Sequence, residues 1–141
     1  MQEYIEFARM HPLLVIGFIT VLGLIIWSEY SRLTRKYKQV NANEAVQILN
    51  KDNVTLIDVR EASEVSNGII KGAKKIPLGE LATQLPSLEK NKDKPILVYC
   101  RSGSRSGSAC NTLTQHGFSD VYNLAGGIMS WESENLPLSR K

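Results

Sequence analysis

Apolar positions change character along the chain. From Met10 to Ser28 there is no acid, lysine or arginine, and Leu13 to Trp27 is apolar apart from Gly17, Thr20 and Gly23. Residues apolar all round the helical wheel, not along one stripe, predict a membrane-spanning helix and argue against an amphipathic core helix. The nineteen residues of this run, at about 1.5 Å each, span roughly 28 Å, close to the hydrocarbon thickness of a bilayer. Pro12 suits the first turn of such a helix, and Trp27 and Tyr30 suit its interfacial end. A cleavable signal peptide fits less well, because Glu3, Glu6 and Arg9 precede the run and Trp27-Ser28-Glu29-Tyr30 follows it. Such a peptide needs a basic start and small residues at its cleavage site.

Beyond this run, short helical and strand patterns alternate. Asn41 and Glu44 have the spacing of a capping box, and Ala45, Val46, Ile48 and Leu49 follow at helical spacing, predicting a helix to Lys51. Val54 to Val59 reads as a strand, Ala62 to Ser66 as a helical turn broken by Asn67-Gly68, and Ala73 to Ile76 as a short strand stopped by Pro77. Leu78 to Leu88 has a helical pattern interrupted near Pro86. Ile96 to Tyr99 reads as a buried strand, Ser106 to Gln115 as a helix ended by His116-Gly117, and Asp120 to Leu124 as a last strand. Gly126-Gly127 opens a terminal helix containing Ile128, Met129 and Trp131. This alternation predicts an α/β fold, a parallel sheet flanked by helices on both faces and preceded by one transmembrane helix. The expected divisions are 1–30 with the transmembrane helix at about 10–28, a basic juxtamembrane linker at 31–39, the α/β domain at 40–136, and a polar tail at 137–141 with no assigned role.

Charge narrows the partners. From Gln39 onward there are twelve Lys and Arg against eleven Asp and Glu, so the domain is nearly neutral and the net charge of +3 comes mainly from the basic cluster beside the apolar run. Without a basic face interleaved with aromatics, no nucleic-acid partner is expected. Arg32, Arg35, Lys36 and Lys38 downstream of the run outweigh Arg9 upstream, which predicts a single-pass inner-membrane protein with its C-terminal domain in the cytoplasm. The same cluster favours anionic lipid.

The chain has two cysteines and two histidines. In the cytoplasm thiols stay reduced, and two cysteines without a histidine cluster offer no metal site; no cofactor is expected. Cys110, inside a predicted helix, reads as a small core residue and not a resolving thiol. His11 and His116 do not read as catalytic. Cys100 differs, heading the turn Cys100-Arg101-Ser102-Gly103-Ser104-Arg105-Ser106 between a strand and a helix. A thiol is a useful nucleophile as thiolate, and its pKa falls beside cations and helix N-termini. Two guanidiniums, a glycine and three hydroxyls within six residues therefore form a candidate anion cradle around a nucleophile, with loop N–H groups converging on the sulfur. In open α/β sheets, ligands bind beyond the carboxyl ends of strands, where Cys100 falls.

The segments Leu56-Ile57-Asp58-Val59-Arg60-Glu61, Gly68 with Gly72-Ala73 and Ile76-Pro77-Leu78, Tyr99 to Ser106, and Leu124-Ala125-Gly126-Gly127-Ile128 before Trp131 together resemble the rhodanese-like family of single-domain sulfurtransferases. The resemblance covers roughly Val40 to Leu136, and the layout resembles its membrane-anchored bacterial members. Gly68-Ile69-Ile70 stands where the family often has Gly-His-Ile, and Glu64-Val65 where an acidic-aromatic pair is usual. The resemblance implies that Cys100 takes sulfane sulfur from a small anionic donor such as thiosulfate and passes it, as a persulfide, to cyanide or to a thiol or protein acceptor. It implies that Arg101, Ser102, Gly103, Ser104, Arg105 and Ser106 line the substrate, with Arg105 on the donor's anionic end and Arg101 adding positive potential. It also implies that Asp58 and Arg60 are an ion pair supporting the loop. A phosphatase or arsenate reductase places its arginine six positions after the cysteine, where this chain has Ser106; Arg105 is five on, a shorter ring suited to sulfur. A third reading is a persulfide carrier or scaffold domain for a membrane partner.

Overall fold

A computed structural model describes residues 6–7 and 9–140. It divides into two units, residues 1–35 and 36–141. The first contains helix α1 (Pro12–Leu33), with proline in its first turn. Among the described residues it is the one helix long and apolar enough to cross a membrane, with mean hydropathy 2.0 over Pro12–Ser31 and no part buried.

The second unit is an α/β layer structure. Its elements are β1 (Lys38–Val40), α2 (Ala42–Leu49), β2 (Thr55–Asp58), α3 (Ala62–Val65), β3 (Lys74–Lys75), α4 (Leu81–Leu88), β4 (Ile96–Tyr99), α5 (Ser104–Gln115), β5 (Val121–Leu124) and α6 (Gly127–Ser133). The sheet is parallel throughout in the order β1-β5-β4-β2-β3. Strand β4 lies at its centre and is buried on both faces, as an unbroken apolar run in a parallel sheet should be. Because side chains alternate across a strand, Ile96, Val98 and Cys100 join Ile57, Val59 and the α4 and α5 residues Leu81, Leu88, Ala109, Cys110 and Leu113 on one face. Leu97 and Tyr99 join Leu56, Leu124 and the α2 and α6 residues Ala45, Ile48, Ile128 and Trp131 on the other. The predicted capping box forms: Glu44 N–H donates to Asn41 Oδ1 at 2.9 Å and Asn41 N–H to Glu44 Oε2 at 2.8 Å.

The structure differs from the sequence reading at four points. The basic linker is shorter than 31–39, because α1 runs to Leu33 and residues 38–40 pair with β5. Lys38, read as part of the membrane-flanking cluster, instead sits 3.5 Å from Asp120 and over the Tyr122 ring. Helix α4 passes through Pro86 uninterrupted; the exposed turn lets water satisfy the carbonyl that proline's missing N–H leaves open, and the chain then tightens into a 3-10 turn at Glu89–Asn91. The polar tail is docked as far as it is described. Ile69 and Ser139 exchange both backbone hydrogen bonds, at 3.0 and 2.7 Å, and Leu136 and Leu138 pack on the second core face.

Candidate active site

Strand β4 delivers Cys100 to the carboxyl edge of the sheet, and α5 begins four residues later with Gly103 as its N-cap. Gly103 has φ +96°, and a Cβ there would meet Gly126 N and Leu124 O at 3.2 Å, so the turn requires glycine. The turn folds back on the sulfur. Gly103 N–H donates to Cys100 Sγ at 3.1 Å and the Ser106 hydroxyl donates to it at 3.4 Å. Burial alone would raise the Cys100 pKa, but hydrogen bonds from the Ser106 hydroxyl and from the Ser106, Gly103 and Ser102 N–H groups outweigh it and pull the thiol below its ordinary value. Cys110 lies in the same core cluster with burial pushing its thiol well up and no comparable donors, as an inert packing residue should.

The loop's carbonyls are engaged on the side away from the sulfur. Ile128 N–H donates to Cys100 O at 2.9 Å, and Met129 N–H donates to Arg101 O at 3.3 Å. The first turn of α6 thus satisfies its own open N–H groups and fixes the peptide planes of the loop. Gly127, φ +58°, permits this approach: a Cβ there would overlap the carbonyl oxygens of both Cys100 and Arg101. Asn123 on β5 holds the peptide after Gly103, donating from Nδ2 to Gly103 O at 3.0 Å, while its Oδ1 is buried without a hydrogen-bond partner. Neither Asn123 nor Gly127 was singled out from sequence as a site residue. The paired glycines before Ile128 were the available signal for Gly127, whereas a lone asparagine in a strand gives none.

The two loop arginines sit in different surroundings. Arg101 is exposed and lines a groove of about 450 Å³ with Arg60, Glu64, Asn67, Gly68, Ile128, Met129, Glu132 and Leu138. Arg105 is half-buried and paired with a carboxylate, which takes two of its five N–H groups. It gives Nη1 and Nη2 to the two carboxylate oxygens of Glu64, each at 2.7 Å, a fork-to-fork pair. These hydrogen bonds, with one from Glu61 N–H, hold the Glu64 carboxyl down to about 2. Ser104 is exposed at the first position of α5, and Ser102 is exposed with its N–H toward the sulfur.

Asp58 and Arg60 are a buried pair 2.7 Å apart. Arg60 also donates to Gly68 O at 2.8 Å and Glu64 O at 3.3 Å, and stands over the Tyr99 ring, whose hydroxyl accepts from Ile70 N–H at 3.1 Å. The pair therefore ties the segment from Glu64 to Ile70 to the ends of β2 and β4, and Glu64 carries that support on to Arg105. Removing one partner would strand a buried charge.

A thiolate held by N–H and hydroxyl donors at a helix start should titrate early. The rate of Cys100 alkylation is expected to rise with pH to a plateau reached below the ordinary thiol range. Ser106→Ala should move the midpoint upward by about one pH unit, the size of one lost hydrogen bond to an anion. An unmoved midpoint would show that the hydroxyl does not stabilise the thiolate.

Comparison with known proteins agrees with this geometry. Residues 41–134 match the rhodanese-like domain. The chain is 36% identical over 141 residues to an uncharacterized Escherichia coli protein, YibN, covering 99% of each. It is 32% identical over 99 residues to the thiosulfate sulfurtransferase GlpE of Shewanella oneidensis, covering 70% of this chain and 96% of that one. A rhodanese-like domain protein from Staphylococcus aureus superimposes with a TM-score of 0.65 at 30% identity, over 74% of this chain and 98% of that one. With a parallel sheet, a cysteine closing its central strand and a sequence match across two thirds of its length, the chain belongs to the rhodanese-like family.

Proposed function

We propose that this protein is a membrane-anchored sulfurtransferase that moves sulfane sulfur through a persulfide on Cys100. The observation carrying the reading is the donor cradle around Sγ, which lowers the thiol pKa and offers the same N–H groups to a terminal persulfide anion. With thiosulfate the step balances without any redox partner. The thiolate attacks the outer sulfur, the bond between the two thiosulfate sulfurs breaks, sulfite departs with that electron pair, and Cys100 retains an anionic persulfide. A thiol or cyanide then attacks the terminal sulfur and regenerates the thiolate, a two-step covalent transfer. In this reading the loop residues Arg101, Ser102, Gly103, Ser104, Arg105 and Ser106 bind the substrate, with Ser102, Gly103 and Ser106 donating to the sulfur and Asp58 and Arg60 bracing the neighbouring segment. The spacing of Arg105, five after the cysteine, favours sulfur over phosphate as the bound group.

Helix α1 supplies the anchor in this reading, supported by its length, its hydropathy and its exposed apolar surface. The basic residues Arg32, Arg35 and Lys36 at its downstream end put the catalytic unit on the cytoplasmic face of the inner membrane. The test uses the full-length chain in detergent. Thiosulfate should add one sulfur to the intact mass, and cyanide should remove it as thiocyanate. Absence of the adduct would favour a scaffold role, and release of phosphate from an aryl phosphate without thiocyanate would favour phosphatase chemistry.

A further inference from the structure

Charge on the α/β unit is divided between the two edges of its sheet. Because the strands are all parallel, the segments that lead into strands gather at one edge and those that leave them gather at the other. The leaving edge holds Cys100. Its Arg60 and Arg105 are paired with Asp58 and Glu64, which leaves Arg101 and Lys75 against Glu44, Glu61, Glu80 and Glu132. The entering edge has the opposite balance. Among the described residues Lys38 and Lys92 pair with Asp120 and Glu89, whereas Lys51, Lys74, Lys90 and Lys94 are exposed and make no salt bridge. Asp52 and Asp93 are the carboxylates left unpaired beside them.

Two further observations say what this edge would meet. Lys74 and Lys94 share a pocket of about 260 Å³ with Asn53 and Asn91, and no carboxylate lines it. Ammonium and amide N–H groups in one concave wall suit phosphate oxygens. The chain also enters the unit at this edge, bringing Arg35 and Lys36 just ahead of Lys38. Residues 34–37 join Leu33 to Lys38, and a link of that length reaches no more than about 18 Å. A bilayer that holds the apolar run is therefore within that reach of the basic edge, and the cytoplasmic leaflet is anionic.

We propose that the strand-entry edge of the α/β unit rests on anionic lipid, with the pocket of Lys74 and Lys94 taking a headgroup phosphate, so that Cys100 is presented from the opposite edge. The inference rests on the reading of α1 as a membrane anchor. A negatively charged surface attracts the unpaired lysines and repels the carboxylates of the leaving edge, so one field both holds the unit down and turns its loop outward. Sulfur donors and acceptors then reach Cys100 from the aqueous phase, without passing between the unit and the lipid.

The test places the full-length chain in nanodiscs of phosphatidylcholine, with and without phosphatidylglycerol, and reads the rate at which an uncharged amine reagent labels each lysine by peptide mass. In the anionic discs Lys51, Lys74, Lys90 and Lys94 should each label about fivefold more slowly than in the neutral ones, the scale of one lysine held at an anionic surface. Lys75, at the end of β3, and alkylation of Cys100 should stay within about twofold. Salt at about 1 M should abolish the protection, because charges are then screened within about 3 Å. The double variant Lys74→Gln with Lys94→Gln, both exposed changes, should bring protection of Lys51 and Lys90 below about twofold. Equal labelling in the two discs, protection that survives the salt, or a matching loss at Lys75 and Cys100 overturns the proposal alone. Protection by polyglutamate added to the neutral discs, with none from anionic lipid, also overturns it and assigns the edge to an acidic polypeptide. Release of the chain from vesicles by an alkaline wash overturns the anchor reading beneath it.

Discussion

Serine in place of Cys100 is expected to abolish sulfur addition from any donor and to lower thiocyanate release by at least about a thousandfold, the scale of losing a covalent nucleophile. A hydroxyl in that position would keep the Gly103 N–H and Ser106 partners but not the chemistry, because its pKa lies far above any value these donors could bring near neutrality. The fold should tolerate the change. Serine is smaller than cysteine and retains acceptors for the two donors, so thermal unfolding should shift by a few degrees at most, corresponding to about 1 kcal/mol or less. The measurement pairs intact mass after thiosulfate or persulfide treatment with a melting curve. A sulfur adduct surviving in the variant would place the reactive thiol at Cys110, against its burial and raised pKa.

Gly127→Ala should be the most damaging single-methyl change near the site. The added carbon would overlap the carbonyl oxygens of Cys100 and Arg101, both of them backbone atoms that cannot rotate away, at a position with φ +58°. A left-handed conformation costs a non-glycine residue about 1–2 kcal/mol, and the steric overlap adds to it, so a loss of about 3 kcal/mol is expected. For a domain of this size that is a fall of about 10 °C or more in melting temperature. The chemical consequence is separate: displaced from α6, the loop peptides lose their orientation, and the alkylation midpoint of Cys100 should move up as its N–H donors turn away. Gly79→Ala is the matched control, since nothing lies within 4 Å of a Cβ there, and it should stay within about 0.5 kcal/mol of wild type. If Gly127→Ala melts and alkylates like the control, the loop does not depend on the first turn of α6.

Much of the catalytic loop was legible because its chemistry is local. Sulfur, glycine, hydroxyls and guanidiniums lie within seven consecutive positions, and an apolar strand before them with a helix after them leaves one geometry for the turn. The Arg105 pairing was not legible because its partner is 41 positions away. From sequence, an arginine beside a thiol reads as a free cation; the fold pairs it with a carboxylate presented by a four-residue helix that Arg60 pins in place. The docking of the tail was not legible for a similar reason. Its few apolar residues show no periodicity, and they become structural through an antiparallel bridge to Ile69, on the far side of the chain in sequence.

Local periodicity and turn chemistry determined the apolar N-terminal helix, the alternation of strands and helices, the face on which each β4 residue lies, and the candidate nucleophile. Those features depend on spacings of two to four residues, which a sequence displays directly. The tertiary structure decided which strands are neighbours, so that Lys38–Val40 became an edge strand beside β5, and it decided which charges meet. The loop's final shape belongs to that second class. Its N–H groups face the sulfur because β5 and α6 hold its carbonyls from behind, and long-range contacts of that kind are set by packing and ladder register that local sequence does not encode.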